Sequence, residues 1–251
     1  MRTHLKFLAN IVGLLWVVIP IRLSNFLIKL ILVLSTRHGS PKRALIALLD
    51  TRDTVDLLIN ERSMAYGDGE HPKHRLTKYH EFFIDHIVNG ENVLDLGCGY
   101  GAVARSIAAA HSKSKVLGVD YCDKSIEQAN NGINSDNLSF ILSDINDGVP
   151  DGRWQVVVLS NVLEHLHNRS EFLKSLSKKL KNPRFLIRVP LYERDWQIAL
   201  RNELGVDFRS DPDHKIEHKV REFQQEIHAS GLSVVELNTI WGEIWAVCHD
   251  A

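Results

Sequence analysis

The chain has 251 residues, of which 44% are hydrophobic and 24% charged, and its formal net charge is −1. This length and balance suit one sizeable α/β domain with appendages rather than a disordered or fibrous chain. A near-neutral chain has no global basic field, so we expect no nucleic-acid partner. Its three cysteines have no C-x-x-C spacing, which indicates neither a disulfide framework nor a cysteine-ligated zinc site and suits a reducing compartment.

The amino-terminal stretch is unusually apolar. Phe7 to Ile21 carries no charge, and a second apolar run extends from Phe26 to Leu34. Neither uncharged run reaches the ~20 residues that span a bilayer. We therefore predict that residues 1–40 form a hydrophobic helical segment that associates with the inner face of the membrane, through peripheral or monotopic contact of residues 5–34. The alternative is a helical pair docked on the domain or on a dimer partner.

Residues 41–90 are predicted to form a helical lid or linker. Apolar residues at helical spacing predict one helix over Lys42–Ser63 and another over Lys73–Val88. A loop rich in glycine and acidic residues, Tyr66–Pro72, separates them.

A glycine-rich turn follows the first predicted strand. Val93–Leu96 is short and apolar with one acid, which is typical of a buried parallel strand. Gly97, Gly99 and Gly101 follow, and a helix opens at Ala102. In an open α/β sheet such a turn lies at the carboxyl edge of the strands, where ligands bind. The pattern also fits a loose dinucleotide site, but a carboxylate two residues before the first glycine would oppose a pyrophosphate there.

Three further predicted strands also end in acids or amides. They cover residues 115–120, 138–145 and 154–161, and their polar tips are Asp120, Asp144 and Asn161. Asp120 lies about twenty residues beyond the glycine loop, the spacing at which a carboxylate meets ribose hydroxyls. A fifth strand is predicted over Arg184–Pro190, and two more, Leu232–Leu237 and Ile240–Cys248, are predicted to close the sheet as an antiparallel pair.

The stretch Leu94–Gly101 closely resembles the first motif of class I S-adenosylmethionine (SAM)-dependent methyltransferases, and the polar strand ends occur in that family's order. The resemblance covers roughly residues 92–189. It implies a methyltransferase domain over 91–251 that uses S-adenosyl-L-methionine. It also implies an α/β, Rossmann-like fold: a seven-stranded, mostly parallel sheet of order 3-2-1-4-5-7-6 with helices on both faces, plus the amino-terminal hydrophobic helical segment.

The resemblance also assigns roles to residues around the cofactor. Tyr121 would flank the adenine, the Asp144 carboxylate and the Ile145 N–H would contact its edge, and Asn161 would lie near the sulfonium. The cofactor-binding residues it implies are Asp95, Gly97, Cys98, Gly99, Gly101, Asp120, Tyr121, Asp144, Ile145 and Asn161.

Two histidines are candidates for catalysis. His165 follows the fourth strand, and an imidazole titrates near neutrality, so it could serve as a base. By the resemblance, His80 lies in the segment that covers the cofactor mouth. The alternative interpretations are that His165 only orders a helix start and that His80 is a surface helix residue.

Two motifs raise the question of metal. Some quinone and small-RNA O-methyltransferases carry Glu-x-x-Glu-His after strand four and bind a divalent cation. Here Asn161 replaces the first glutamate of that pattern, which removes one anionic ligand. His214 to His218 matches H-x-x-E-H, a zinc-protease motif, and a coincidental match is expected. We therefore predict no metal site.

The acceptor side is predicted to lie in an insertion over residues 188–218. Its aromatic residues and arginines suit a sugar, glycolipid or phosphorylated acceptor, and equally a self-packed helix. Three stretches resemble methyltransferases of bacterial cell-surface polysaccharide and glycolipid pathways: Tyr66–Leu76, Arg188–Trp196 and Trp241–Trp245. The resemblance implies O-methylation of a saccharide or lipid-linked acceptor at the cytoplasmic membrane face. The alternatives are methylation of a lipophilic small molecule such as a quinone, a non-catalytic SAM-binding regulator, and an NAD oxidoreductase.

Overall fold

The computed structural model describes residues 13, 16, 18–68 and 71–251. The chain divides into two compact units, Met1–Gly69 and Glu70–Ala251. This division differs from the predicted boundaries at residues 40 and 90, because the chain after residue 70 folds together with the sheet. Most of the predicted apolar run Phe7–Ile21 lies outside the described residues.

The described part of the amino-terminal unit consists of two helices, Ile21–Arg37 and Pro41–Tyr66. They are separated at the predicted break, where Gly39 has a φ of +104° and Pro41 occupies the first turn of the second helix. Within the described residues, no helix combines the length and apolar character needed to cross a bilayer. The first helix nevertheless exposes many of its apolar side chains.

The second unit contains a seven-stranded sheet with the order β3-β2-β1-β4-β5-β7-β6, which confirms the predicted topology. Neighbouring strands from β3 to β5 are parallel, and β7 is antiparallel to both β5 and β6. The strands are β1 Val93–Leu96, β2 Val116–Asp120, β3 Leu138–Leu142, β4 Val156–Ser160, β5 Arg184–Pro190, β6 Leu232–Ile240 and β7 Glu243–Asp250.

Helices cover both faces of this sheet, over two separate apolar clusters. Side chains along β1 alternate between the clusters: Val93 joins one, and Leu94 and Leu96 join the other. The α-helices of this unit are Lys73–Thr77, Tyr79–Asp85, Ala102–Ala110, Asp123–Asn131, Arg169–Leu180, Trp196–Leu204 and Val220–Ala229. Short 3₁₀ turns cover Leu163–His165 and Tyr192–Arg194.

The predicted single helix over Lys73–Val88 is wrong: two short helices meet at Lys78. Lys78 has a left-handed conformation with a φ of +55°, which ends the first helix and precedes the second. Beyond this break, Tyr79 and Phe83 are buried in the core of the unit. No glycine or proline marks the position, so side-chain periodicity could not reveal it.

Two other strand boundaries differ from prediction because of local turns. β3 ends at Leu142 rather than at residue 145, and the next residue, Ser143, donates its N–H to the carbonyl of Asp120. β6 extends to Ile240, and the hairpin turns at Trp241 and Gly242, which both have positive φ. Positive φ at both central residues is the signature of a type I′ turn, which matches the twist of paired strands.

Candidate active site

The glycine loop is fixed on β2 by backbone hydrogen bonds. The N–H groups of Gly97 and Cys98 both donate to the carbonyl of Val119, at 2.8 and 3.0 Å. Gly97 has a φ of +70°, and a Cβ there would lie 2.6 Å from the Cγ2 of Val162. At Gly99, with a φ of +52°, a Cβ would meet nothing within 4 Å. The loop is therefore packed at its start and has open, bare backbone at its centre.

The Asp120 carboxylate, at the end of β2, is hydrogen-bonded to this loop. Its Oδ2 accepts a hydrogen bond from the Gly99 N–H at 2.8 Å, and its Oδ1 accepts one from the Cys122 N–H at 2.9 Å. The next side chain, Tyr121, is 78% exposed, so its ring is open to a ligand. Cys98 is buried, and burial raises the pKa of its thiol, which suits a packing residue rather than a nucleophile.

Asp95 is buried beneath the loop with one oxygen unpartnered. It accepts a hydrogen bond from the backbone of Ala104, which ties β1 to the start of the next helix, but its Oδ2 has no partner. Burial, and then the charge of Asp120, raises the pKa of Asp95 to about 7. A buried carboxylate oxygen without a donor is unusual, and it suits a ligand that brings a positively charged or N–H group.

The tips of β3 and β4 differ in what they offer. The Oδ1 of Asp144 accepts hydrogen bonds from both the backbone N–H and the Nδ2 of Asn146, each at 2.8 Å, so Asp144 caps a turn. Asn161 has a φ of +58°, and its buried Oδ1 has no partner. A non-glycine residue in this conformation with an unsatisfied side chain marks a strained position of the kind that occurs at ligand sites.

These features fit the cofactor that the sequence implied. Asp95 and Asn161 each present an unsatisfied buried oxygen, Gly99 presents bare backbone, and Asp120 can accept hydrogen bonds from two hydroxyls. The amino group, ribose and adenine of SAM are the groups that such acceptors bind. The individual assignments, including the adenine contacts of Asp144 and Ile145, stay predictions.

His165 lies in a second polar group beyond the tip of β4. Its ring packs edge-on against that of His214, with ring centroids 4.6 Å apart. Between β4 and His165 lies Glu164, which is fully buried and has no hydrogen-bond donor on either carboxylate oxygen. Burial raises the pKa of Glu164 to about 8, and burial and His214 lower the pKa of His165. His214 was not among the predicted site residues.

His214 is held in place by its own segment. Its Nδ1 lies 2.9 Å from Glu217 Oε1, and Glu217 also pairs with Arg194. The Lys215 N–H donates to the carbonyl of Glu164 at 2.7 Å, which docks the segment on the turn after β4. His218 instead pairs with Glu226 at 3.2 Å. The two histidines of the H-x-x-E-H motif therefore do not converge, and no zinc-protease site forms.

Beyond Arg188, the arginines of the 188–218 insertion make contacts within it, which favours the self-packed interpretation of that stretch. Arg194 also donates to the carbonyl of Phe208, and Arg201 donates to the carbonyl of Asp207. Arg209 pairs with the Asp207 carboxylate at 2.9 Å. These side chains stabilise the fold of the insertion rather than present a row of free charges to an anionic acceptor.

A buried ion pair that the sequence did not single out joins β5 to β7. Arg188 donates to both oxygens of Glu243, at 2.6 and 2.7 Å, and to the Oγ of Ser160. Its guanidinium lies 3.9 Å from the ring centroid of Tyr79. This arrangement positions Tyr79 at the edge of the site. An arginine in the middle of an apolar strand, between Ile187 and Val189, was the available signal.

His80 is the less favoured of the two predicted catalytic histidines. Its Nδ1 lies 2.8 Å from the Oγ of Ser106, and its Nε2 lies 3.3 Å from the Nδ1 of His74. Burial lowers the pKa of His80 to about 4. Both ring nitrogens are thus engaged by the protein, an arrangement that suits a structural role, and catalysis by His80 stays a prediction.

The pKa of Asp95 predicts a loss of stability with rising pH. Its folded pKa of about 7 lies well above the ordinary aspartate value of 3.8. Between these values the folded chain retains a proton that the unfolded chain releases, so the free energy of unfolding falls as the pH rises. Asp95→Asn cannot ionise and should make this fall smaller, leaving the part that comes from Glu164, whose pKa is also raised. Urea midpoints from about pH 5 to about pH 8 would measure the difference. The exposed control Glu127→Gln should follow the wild type, and an undiminished fall in Asp95→Asn would contradict the assignment.

Asp120 provides a test of the cofactor site. Asp120→Asn keeps an oxygen that can accept from Gly99 but removes the charge that strengthens hydrogen bonds to ribose hydroxyls. We expect an affinity for S-adenosylhomocysteine about ten- to a hundredfold lower by calorimetric titration, with Glu127→Gln unchanged. NADH should produce no binding heat. If Asp120→Asn bound S-adenosylhomocysteine with unchanged affinity, or if the wild type bound NADH, the loop would be better interpreted as a dinucleotide site.

Comparison with known proteins identifies the family. A family model described as a methyltransferase domain matches residues 69–237, more than half of the chain. The ribosomal protein L11 methyltransferase of Neisseria meningitidis is 31% identical over 130 residues, which are 51% of this chain and 42% of the relative. This chain thus matches less than half the length of that relative.

Solved structures show the same fold. A SAM-dependent methyltransferase from Aquifex aeolicus superposes with a TM-score of 0.55 at 16% identity, over 72% of this chain and 94% of that one. Magnesium protoporphyrin IX methyltransferase from Synechocystis, solved with bound SAM, superposes with a TM-score of 0.50 at 15% identity, over 76% and 84%. Together with the family match and the geometry of the loop, these findings show that the chain belongs to the class I methyltransferases and uses S-adenosyl-L-methionine as its cofactor.

Proposed function

We propose that this methyltransferase methylates a hydroxyl oxygen of a saccharide or lipid-linked acceptor at the cytoplasmic face of the membrane. The observation that carries the proposal is the polar group of Glu164, His165 and His214 beyond the tip of β4. In the sheet order, β4 lies beside β1, which carries the glycine loop. An acceptor that reaches the end of β4 would therefore meet this polar group next to the cofactor.

A hydroxyl acceptor needs what this polar group can provide. When bound, SAM supplies the electrophilic methyl group: its S–CH₃ bond breaks as the bond to the acceptor oxygen forms, S-adenosylhomocysteine leaves, and the hydroxyl proton passes to a base. Burial and His214 keep the pKa of His165 low, so its ring is neutral and can take up a proton. Thiol, amine and carboxylate acceptors depend less on such a base.

The membrane location is supported by the helix Ile21–Arg37. Apolar side chains are exposed on this helix, among them Ile21 at 75%, Phe26 at 60% and Ile31 at 63%. The helix contains Arg22, Lys29 and Arg37 and no acidic residue. A helix with apolar side chains and only positive charges suits an anionic lipid surface. Its apolar side chains enter the membrane interface, and its cations contact the anionic headgroups.

Other acceptors make different predictions about the product. The relative named above is a ribosomal protein L11 methyltransferase, so a protein acceptor is one competitor. A lipophilic small molecule such as a quinone is another, and a regulator that binds SAM without turnover is a third. The class of molecule that receives the methyl group separates all of them.

A labelling experiment tests the acceptor. The full chain, incubated with methyl-labelled SAM and a lysate of its source organism, should transfer label to the lipid-linked saccharide or polysaccharide fraction. The label should resist mild alkali, because methyl ethers are stable where methyl esters hydrolyse. Asp120→Asn, which weakens the cofactor site, should transfer little. Label in protein or in the quinone fraction would contradict the proposal, as would SAM binding without any transfer.

A vesicle experiment tests the location. The full chain should sediment with vesicles that contain phosphatidylglycerol and much less with pure phosphatidylcholine, since the helix Ile21–Arg37 carries only positive charges. Replacing both Phe26 and Ile31 by serine should weaken sedimentation about tenfold or more, because two large apolar groups no longer leave water. The matched control is Leu57→Ser, at a 68% exposed position of the next helix. Equal sedimentation of all three proteins, or none, would contradict the proposal.

A further inference from the structure

Three metal-binding side chains converge beyond the tip of β4. Among the described residues, Glu164, His165 and His214 form a group whose ligand atoms all lie within 4.8 Å of one another. Two of them are adjacent on the turn after β4, and the third comes from a loop about fifty residues later, docked there by the Lys215–Glu164 backbone hydrogen bond. The convergence is therefore a product of the tertiary fold and not of local spacing.

The buried carboxylate of Glu164 gives an independent reason to expect a positive ligand. Its side chain is fully buried, and neither oxygen has a hydrogen-bond partner. Within 4.0 Å its ionisable neighbour is the Nε2 of His214, which is too far from Oε1 for a hydrogen bond, and the Arg188 guanidinium acts on the carboxyl group from a greater distance. Buried polar atoms are almost always satisfied in proteins, so a carboxyl group with two unpartnered oxygens fits a site that a cation completes.

The orientation of His214 leaves the right nitrogen free. Its Nδ1 lies 2.9 Å from Glu217 Oε1, while its Nε2 is the atom that faces Glu164. A carboxylate that binds one ring nitrogen fixes the tautomer and aims the other at a metal, which is the common arrangement around histidine ligands. Glu217 is itself held by Arg194 and by the Ser210 N–H, so the ring is oriented by a fixed partner.

The spacing and the donor types also suit a metal. Ligand atoms about 2.0–2.2 Å from one ion lie about 3–4 Å from each other, so the 4.0 Å between Glu164 and His214 already fits. The remaining separations are no more than 4.8 Å, so these atoms need to close by about 1 Å to share one ion. Two imidazoles with one carboxylate favour first-row transition ions and Zn²⁺, whereas Mg²⁺ and Ca²⁺ prefer oxygen ligands.

We propose that Glu164, His165 and His214 bind a divalent transition-type cation, with Glu217 as the residue that orients His214. This departs from the sequence-based expectation of no metal, which treated His214 to His218 as a coincidental match. Three protein ligands leave coordination positions open, as in catalytic rather than structural sites. Of the three side chains, His165 also borders an open cavity of about 530 Å³, together with Ile145 and Phe172.

The site would also define how the acceptor binds. This step rests on the proposed O-methylation: an open position on the cation can take the acceptor oxygen, orient it, and lower the pKa of its hydroxyl. In that case His165 acts as a ligand, and the hydroxyl proton passes to solvent. A saccharide that offers two neighbouring hydroxyls could occupy two positions at once, which favours such acceptors over those with a single isolated hydroxyl.

Cobalt titration tests the site without reference to activity. The full chain, stripped with a chelator and dialysed, is titrated with Co²⁺, and visible absorption bands report coordination by protein ligands. We expect one Co²⁺ per chain, displaced by Zn²⁺ and not by a similar concentration of Mg²⁺. Glu164→Gln and His214→Gln should each weaken Co²⁺ binding about tenfold or more. His228→Gln, at an exposed histidine on the helix Val220–Ala229, controls for adventitious binding and should titrate like the wild type.

Calorimetric binding of S-adenosylhomocysteine shows that each variant is folded, because the cofactor loop lies outside the group. If Glu164→Gln does not fold, His165→Gln replaces it, since that ring reaches solvent and is not part of the core. The proposed site would be overturned if the wild type and the folded variants bound Co²⁺ with equal affinity, or if Co²⁺ produced no visible absorption band in the wild type. Metal binding without saccharide labelling would overturn only the proposed acceptor, and labelling that persists in chelator would overturn only the metal.

Discussion

The hydrogen bonds between the glycine loop and β2 are the constraint on which the active site depends. One carbonyl, that of Val119, receives two successive N–H groups of the loop, and the Asp120 carboxylate receives a third from Gly99. These bonds fix a turn of left-handed glycines whose backbone would otherwise sample many conformations. The loop is therefore held in one conformation by the sheet before the cofactor binds. Cofactor binding then carries little entropic cost for ordering the loop.

Unsatisfied buried oxygens then mark the places where the protein is built for ligands rather than for stability. Asp95 and Asn161 lie along the cofactor edge, and Glu164 lies one turn beyond it. Each destabilises the free protein, by roughly 1–3 kcal/mol for a neutral group. Asp95 lies on β1, and the other two follow the adjacent strand β4, so most of this unfavourable free energy is concentrated near the carboxyl ends of two neighbouring strands.

The sequence predicted the sheet well because its signals are local. Apolar runs that end in Asp95, Asp120 or Asn161 identify buried parallel strands, and the positive φ of the loop glycines follows from their residue type. The Lys78 break had no such signal, since lysine is ordinarily a good helix former. The acceptor-side group was missed for another reason: His214 reaches Glu164 only through the folding of the insertion. Nothing in the spacing of the two residues along the chain encodes that contact.

The position of β7 has a consequence for how the site assembles. Arg188 on β5 finds its carboxylate partner 55 residues later, on a strand that inserts between β5 and β6. Until Glu243 has been synthesised and β7 is in place, the guanidinium beneath Tyr79 has no counter-charge, and burying it alone would cost about 3–5 kcal/mol. Without the β6–β7 hairpin the strands β1 to β5 can still pair, but the guanidinium stays hydrated. The Arg188 side of the site therefore depends on a later part of the chain than the cofactor loop does.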